Sequence, residues 1–193
     1  MSAGHHPDDP IPFTLDEANA ILKFPLVDRN MRRVYQINSR DCDIPYLAGY
    51  SWDGKTIYID RDLKKWLYQG TSIDCKRFLL LHEQTEKAII DAVNNTTGAD
   101  LQRLLILLRM ESPDDKLYLH AHGVATAVEW YAVKIQYGTD GLTMYNRFMA
   151  TQIKRAEDER LIRVPADLDM TPYQGNDAPT VKLRRVMEAR MAA

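Results

Sequence analysis

The hydrophobic period of the chain changes near residue 72, and this change indicates an α+β fold. Before it, the runs RRVYQI and KTIYID are short, β-branched and aromatic, with Asp53-Gly54 as a turn signal between them. These runs predict two or three strands in a small sheet. After it, apolar residues recur at intervals of three and four in SIDCKRFLLLHEQTEKAII, which predicts a long helix over residues 74–93.

Five further segments carry helical signals. In TLDEANAILKF, Thr14 as N-cap and Glu17 three residues later form a capping box, and the helix is expected to end before Pro25. ADLQRLLILLRM, DKLYLHAHGVATAVEWYAVKIQYG and TMYNRFMATQIKRAEDER follow as helices, the second of which is expected to end at Gly138. VKLRRVMEARMAA predicts a last basic helix that docks on the body of the protein or on a partner.

The expected organisation is a predominantly helical α+β domain whose small sheet, in the N-terminal half, packs on the long helix. Residues 1–12 hold three prolines and are expected to form a flexible leader. Residues 13–165 are assigned to the globular domain and residues 166–193 to a C-terminal loop and short basic helix. Four aromatic residues are expected to lie in helical segments and in the core: Trp66, Tyr68, Trp130 and Tyr131.

Composition argues against several classes of protein. The formal net charge of the 193 residues is −2, which removes the general electrostatic reason to expect a nucleic-acid partner. No apolar run is long enough for a membrane span, and the first residues lack the pattern of a secretory signal, so a cytoplasmic location is expected. Cys42 and Cys75 are far apart in the sequence, and no other cysteine accompanies them. This favours two buried thiols without a chemical role over a zinc knuckle or a disulfide framework.

The segment HEQTE lies in the middle of the long predicted helix. His82 and Glu86 are four residues apart, so both side chains project from one helix face and can reach a single ion. Glu83 lies about 100° around the helix and can address a water bound to that ion. The preceding FLLL places this turn in a half-buried position, where an imidazole and two carboxylates without partners would be costly. The segment therefore predicts a metal site.

The later helix carries a polar stripe on an otherwise apolar segment. In HGVATAVEW, His122, Thr126 and Glu129 fall at positions i, i+4 and i+7. His122 and Glu129 are therefore further candidate ligands, and the spacing leaves open which of them is the third ligand. His120 points across the helix and is not assigned to the site.

Strand TIYID, helix LLLHEQTEKAI and helix AHGVATAVEW together resemble a minimal zincin-like metallopeptidase domain of the gluzincin type, over residues 55–137. The resemblance implies zinc as cofactor and a peptide or protein as substrate. It also implies that TIYID is an edge strand able to pair with an extended substrate. Residue by residue, it makes His82 the first ligand, Glu83 the general base, Glu86 the replacement for the second histidine of the motif, and Glu129 the glutamate of the later helix.

The resulting hypothesis is a hydrolase of peptide or amide bonds. His82, Glu86 and His122 would hold one zinc ion, although His122 has no counterpart in the gluzincin pattern. Glu129 would add a fourth ligand or orient one of the three, and Glu83 would activate the metal-bound water.

Two other functions compete with this hypothesis. In the first, a non-catalytic domain uses the same residues as a structural metal site or a buried His/Glu cluster, and its surfaces bind a protein partner. In the second, suggested only by the basic tail, the chain is a nucleic-acid-binding accessory protein, and the near-zero net charge argues against it. The sequence leaves the oligomeric state open.

Overall fold

The structure, a computed structural model, describes residues 11–113 and 116–191. In these residues the chain forms six α-helices and two small sheets, so the predominantly helical α+β class expected from the sequence is confirmed. The helices are α1 (Leu15–Leu22), α2 (Pro25–Met31), α3 (Lys76–Asn94), α4 (Gly98–Leu108), α5 (Leu117–Gln152) and α6 (Ala178–Met191). The strands are β1 (Gln36–Asn38), β2 (Ala48–Tyr50), β3 (Thr56–Ile59), β4 (Trp66–Tyr68) and β5 (Thr71–Ile73). Residues 1–10 of the expected leader lie outside the described residues.

The chain divides into two compact units. Of the described residues, the first unit takes in 11–33, 84–113 and 116–129, and the second takes in 34–83 and 130–191. The chain passes from one unit to the other inside α3 and inside α5.

The first unit is built from helices around an apolar core. α1 begins as expected, because the Thr14 hydroxyl accepts a hydrogen bond from the Glu17 amide and the Glu17 carboxylate accepts one from the Thr14 amide. The sequence did not predict α2, which begins at Pro25, a residue that is well tolerated in the first turn of a helix. The Asn30 amide donates to the carbonyl of Ala88 at 3.1 Å and ties α2 to α3.

The three-stranded sheet of the second unit has β3 at its centre. β1 pairs with β3 in parallel and β2 pairs with it antiparallel, with Ile37 opposite Ile57 and Gly49 opposite Tyr58. The expectation that TIYID is an edge strand is therefore wrong. The physical reason is burial on both faces: Ile57, Tyr58 and Ile59 are all buried, as is typical of a central strand.

β4 and β5 form a hairpin that the sequence did not predict. Its two turn residues, Gln69 and Gly70, both have positive φ, as a type I′ turn requires. Trp66 and Tyr68 therefore lie in a strand and not in a helix, although both are buried as expected. Together with Ile73 they pack against Phe78 of α3.

Two of the four aromatic residues expected in the core lie at the surface. Trp130 and Tyr131 are in a helix, α5, as expected, but they are 44% and 43% exposed. The nearby helix residues Glu129 and Val133, by contrast, are buried. Because the segment is apolar on several sides, its sequence does not indicate which face of the helix is exposed.

α5 is interrupted at Gly138, where the expected helix end is confirmed. Its φ of 72° and ψ of −176° lie in a region that essentially only glycine adopts. The helix then resumes and ends at Gln152, so the prediction of a helix through residue 160 is wrong for its last part. The reason is a competing hydrogen bond, since the amide of Lys154 donates to the carbonyl of Pro45 at 3.0 Å.

The C-terminal region packs onto the second unit. Leu183 and Met187 of α6 are buried in a cluster that includes Ile44 and Tyr58, which confirms that the last helix docks on the body of the protein. Both cysteines are buried as thiols, as expected. None of the helices in the described part of the chain has the length and apolarity needed to cross a membrane.

Candidate metal centre

Helix α3 presents His82 and Glu86 from the same side. The helix forms over almost the range expected from its apolar period, so the two side chains stand one turn apart, about 5–6 Å between their Cβ atoms. His82 is 6% exposed and Glu86 is 2% exposed. Burial of a carboxylate to this extent requires polar partners.

Helix α5 supplies the partner of Glu86. Nδ1 of His122 lies 2.8 Å from Oε2 of Glu86, a normal hydrogen-bond or ion-pair distance. The two side chains differ in exposure: that of His122 is 28% exposed and that of Glu86 is 3% exposed. The group is therefore enclosed at the carboxylate and reaches solvent at the imidazole of His122.

His82, Glu86 and His122 together could hold a metal ion. One donor atom from each lies within 4.8 Å of the other two, and among the described residues they form the one group of three or more such side chains with donors this close. Zinc binds imidazole nitrogen at about 2.0–2.1 Å and carboxylate oxygen at about 2.0–2.2 Å, so donors on one ion are roughly 3–4 Å apart. The group matches that requirement with small adjustments. The donor set of two imidazoles and one carboxylate suits zinc and also non-haem iron.

The other two residues predicted for the site are both buried. Glu83 follows His82 on α3 and is 8% exposed, and Glu129 on α5 is 7% exposed. Glu129 lies seven residues after His122, about 10 Å further along the helix axis, and is not one of the three grouped residues. Its assignment as a ligand, like that of Glu83 as a base, stays a prediction.

Tyr118 lies beside the group and was not singled out in the sequence. Its hydroxyl oxygen is 3.5 Å from Nδ1 of His122, and the two rings are stacked with centroids 5.4 Å apart. The signal in the sequence was its spacing, since Tyr118 precedes His122 by four residues on one helix.

His120 has a different role from His122. It is 5% exposed, and its Nδ1 lies 2.6 Å from the carbonyl oxygen of Leu108. Because a carbonyl only accepts hydrogen bonds, Nδ1 of His120 is the donor. His120 therefore joins α5 to the end of α4, in agreement with its exclusion from the predicted site.

Comparison with known proteins adds no relative, since no known protein family, no curated protein and no solved structure matches this chain. A cavity of about 330 Å³ in the second unit is lined by none of the three grouped residues but by Tyr68, Gln69, Thr71, Ile73, Gln136 and Tyr137. The chemistry of the centre is therefore inferred from its own residues.

Proposed function

We propose that this protein is a metal-dependent hydrolase of peptide or amide bonds, with one divalent ion held by His82, Glu86 and His122. The observation that carries the proposal is the convergence of three donor atoms within 4.8 Å of one another. Three protein ligands are the number found in catalytic zinc sites, which keep a further position for water or substrate, whereas structural sites use four. Zinc is the proposed ion, and a peptide or protein the proposed substrate.

The exposure of the three residues supports a site that substrate can enter. Glu86 is enclosed, and this limits competition from bulk water for its oxygens. His122 reaches the surface, so a substrate can approach from its side. A site buried on all sides would have favoured a structural role.

In the proposed reaction the ion supplies Lewis acidity, which polarises a carbonyl group and makes water easier to deprotonate. Glu86 and the two histidines fix the position of the ion. Glu83 accepts the proton from the attacking water and later delivers it to the leaving nitrogen. Its place next to His82 on α3 puts this carboxylate about 100° around the helix from the ligand.

A second function is favoured by a specific observation, the 2.8 Å contact between His122 and Glu86. A hydrogen bond of this length satisfies both groups without an ion. On this alternative the residues form a buried polar cluster or a closed structural metal site, and the protein acts by binding a protein partner. Glu83 then has no part in chemistry.

The two functions are separated by Glu83→Gln, which keeps the size of the side chain and removes its basicity. The matched control is Glu188→Gln, an exposed position on α6. Wild type and both variants are loaded with zinc, checked for metal content, and assayed on a fluorogenic peptide library. We expect Glu83→Gln to retain the ion and to lose hydrolysis by about 100-fold or more, because a general base contributes roughly 10²–10⁴-fold. Zinc-loaded wild type that cleaves no peptide faster than Glu83→Gln would contradict the hydrolase and support the non-catalytic cluster.

A further inference from the structure

We propose that the phenol oxygen of Tyr118 is a fourth donor to the ion held by His82, Glu86 and His122. This inference rests on the metal centre of the proposed function and assigns the fourth donor to Tyr118 in place of Glu129. It concerns the composition of the centre and is independent of the reaction.

Two contacts converge on one nitrogen of His122. Nδ1 of His122 lies 2.8 Å from Oε2 of Glu86 and 3.5 Å from the hydroxyl oxygen of Tyr118. Nδ1 is therefore the nitrogen of His122 that faces the oxygen donors, and it is the one expected to bind the ion.

These distances match those of donors that share an ion. With bonds of about 2.0–2.2 Å, two donors are roughly 3.3–3.6 Å apart at a tetrahedral angle and roughly 2.8–3.1 Å apart at a right angle. The two measured separations fall within these ranges.

The backbone holds Tyr118 beside His122. Tyr118 lies in the first turn of α5, one helical turn before His122, and its ring is stacked on that of His122 at an interplanar angle of 27°. Stacking fixes the plane of the phenol and so the direction of its oxygen. Glu129, by contrast, lies about 10 Å further along the same helix from His122.

Tyr118 changes the metal preference of the centre. Two nitrogens and two oxygens, one of them a phenol oxygen, form a harder donor set than the three ligands alone, and harder ions prefer oxygen donors. The centre should therefore bind Fe(III) as well as Zn²⁺. Catalysis with four protein donors requires the ion to accept a fifth, as catalytic zinc sites sometimes do.

The test compares wild type with Tyr118→Phe, which removes only the phenol oxygen and keeps the stacked ring. Tyr131→Phe, an exposed tyrosine further along α5, is the matched control. Each protein is titrated with Zn²⁺ in competition with a chelator, and separately loaded with Fe(III) for visible absorption spectroscopy. We expect a phenolate-to-iron charge-transfer band in wild type and in Tyr131→Phe and no such band in Tyr118→Phe. We also expect zinc affinity to fall by about 10- to 100-fold in Tyr118→Phe.

A loss of zinc affinity alone would also be expected if Tyr118 only oriented His122. The charge-transfer band therefore decides whether Tyr118 binds the ion. One equivalent of iron in wild type without the band would overturn the role of Tyr118 and leave the three-ligand centre in place. Wild type that binds neither ion would overturn both this inference and the proposed centre. Hydrolysis is not used in the test, so a loss of catalysis alone bears on the proposed function and not on Tyr118.

Discussion

Gly123 follows His122 directly, and its lack of a side chain allows another part of the chain to lie against α5. A Cβ atom built at this position would lie 1.9 Å from the carbonyl oxygen of Ile11 and 3.2 Å from the ring of Phe13. Arg109 also contacts this segment, since it donates to the carbonyl of Pro12 at 3.0 Å and covers the ring of Phe13. These contacts hold residues 11–13 against the turn of α5 that carries Gly123.

We predict that Gly123→Ala destabilises the protein by about 1–3 kcal/mol, the usual cost of forcing extra volume into a packed site. Alanine is the better helix former by about 1 kcal/mol, so helix propensity alone would give the opposite sign. The measurement is urea-induced unfolding, with Thr139→Ala, an exposed position on α5, as the control. A Gly123→Ala protein as stable as wild type would mean that residues 11–13 do not lie against α5.

The sequence predicted which residues of α3 could bind one ion. It did not predict which residues of α5 lie close to them. His82 and Glu86 share a face because of helix geometry alone, and that geometry follows from spacing. The choice between His122 and Glu129 depends on how far α5 is shifted along its axis relative to α3. This shift is set by packing between residues distant in sequence, so the spacing within α5 leaves it undetermined. The spacing of Tyr118 places it on the same helix face as His122, but whether that face meets α3 depends on the same shift.

The sequence predicted the secondary-structure elements correctly where apolar residues follow a helical period. It failed to predict them where apolar residues are exposed. The bounds of α3, α4 and α5 up to Gly138 were close to those observed. In β4, Leu67 between Trp66 and Tyr68 is 69% exposed, so the strand has no alternation of polar and apolar residues to detect. The expected end of α1 before Pro25 was confirmed, but the same proline also begins α2, which has no side-chain hydrogen bond at its N-cap.

In the second unit, a buried cluster of charges joins segments that are distant in sequence. The ammonium of Lys154, which is fully buried, lies 2.8 Å from Asp43, 2.9 Å from Asp60 and 3.1 Å from Asp62. Asp43 also accepts hydrogen bonds from the amides of Ile162 and Arg163. The cluster therefore holds residues 43, 60–62, 154 and 162–163 together.

The charges of this cluster are interdependent. Burial acts to raise the pKa of Asp43, but the ammonium of Lys154 and the two amides outweigh it, so this pKa lies below its usual value. Burial acts to lower the pKa of Lys154, but hydrogen bonds to Asp43 and Asp60 outweigh it, so this pKa is raised. The Asp43 contribution to stability is present above about pH 4 and is lost as pH falls through its lowered pKa. That of Lys154 is present below about pH 10 and is lost as pH rises through its raised pKa.

We predict that Lys154→Ala destabilises the protein by about 3–5 kcal/mol at pH 7, because it removes the ammonium from buried Asp60 and leaves buried Asp43 with Arg61 as its remaining cation. The difference from wild type should shrink toward pH 4, where a carboxyl group that takes up a proton no longer requires the ammonium. Unfolding is followed by circular dichroism across this pH range. The control is Lys182→Ala, which removes an exposed pair with Glu157 and should cost no more than about 1 kcal/mol. A deficit that is constant with pH would contradict the account of the cluster.

The metal centre is the central claim for the whole molecule, and elemental analysis tests it most directly. Wild type, His82→Ala and His120→Asn are purified without a metal-affinity resin, reconstituted with zinc and freed of excess ion. Loss of His120 removes a buried histidine of α5 that contacts Leu108, and so controls for general damage to that helix. We predict close to one equivalent of zinc per chain in wild type and in His120→Asn, and less than about a tenth of an equivalent in His82→Ala. Wild-type protein that binds no metal after reconstitution would contradict the claim and leave Glu86 and His122 as a partly buried hydrogen-bonded pair.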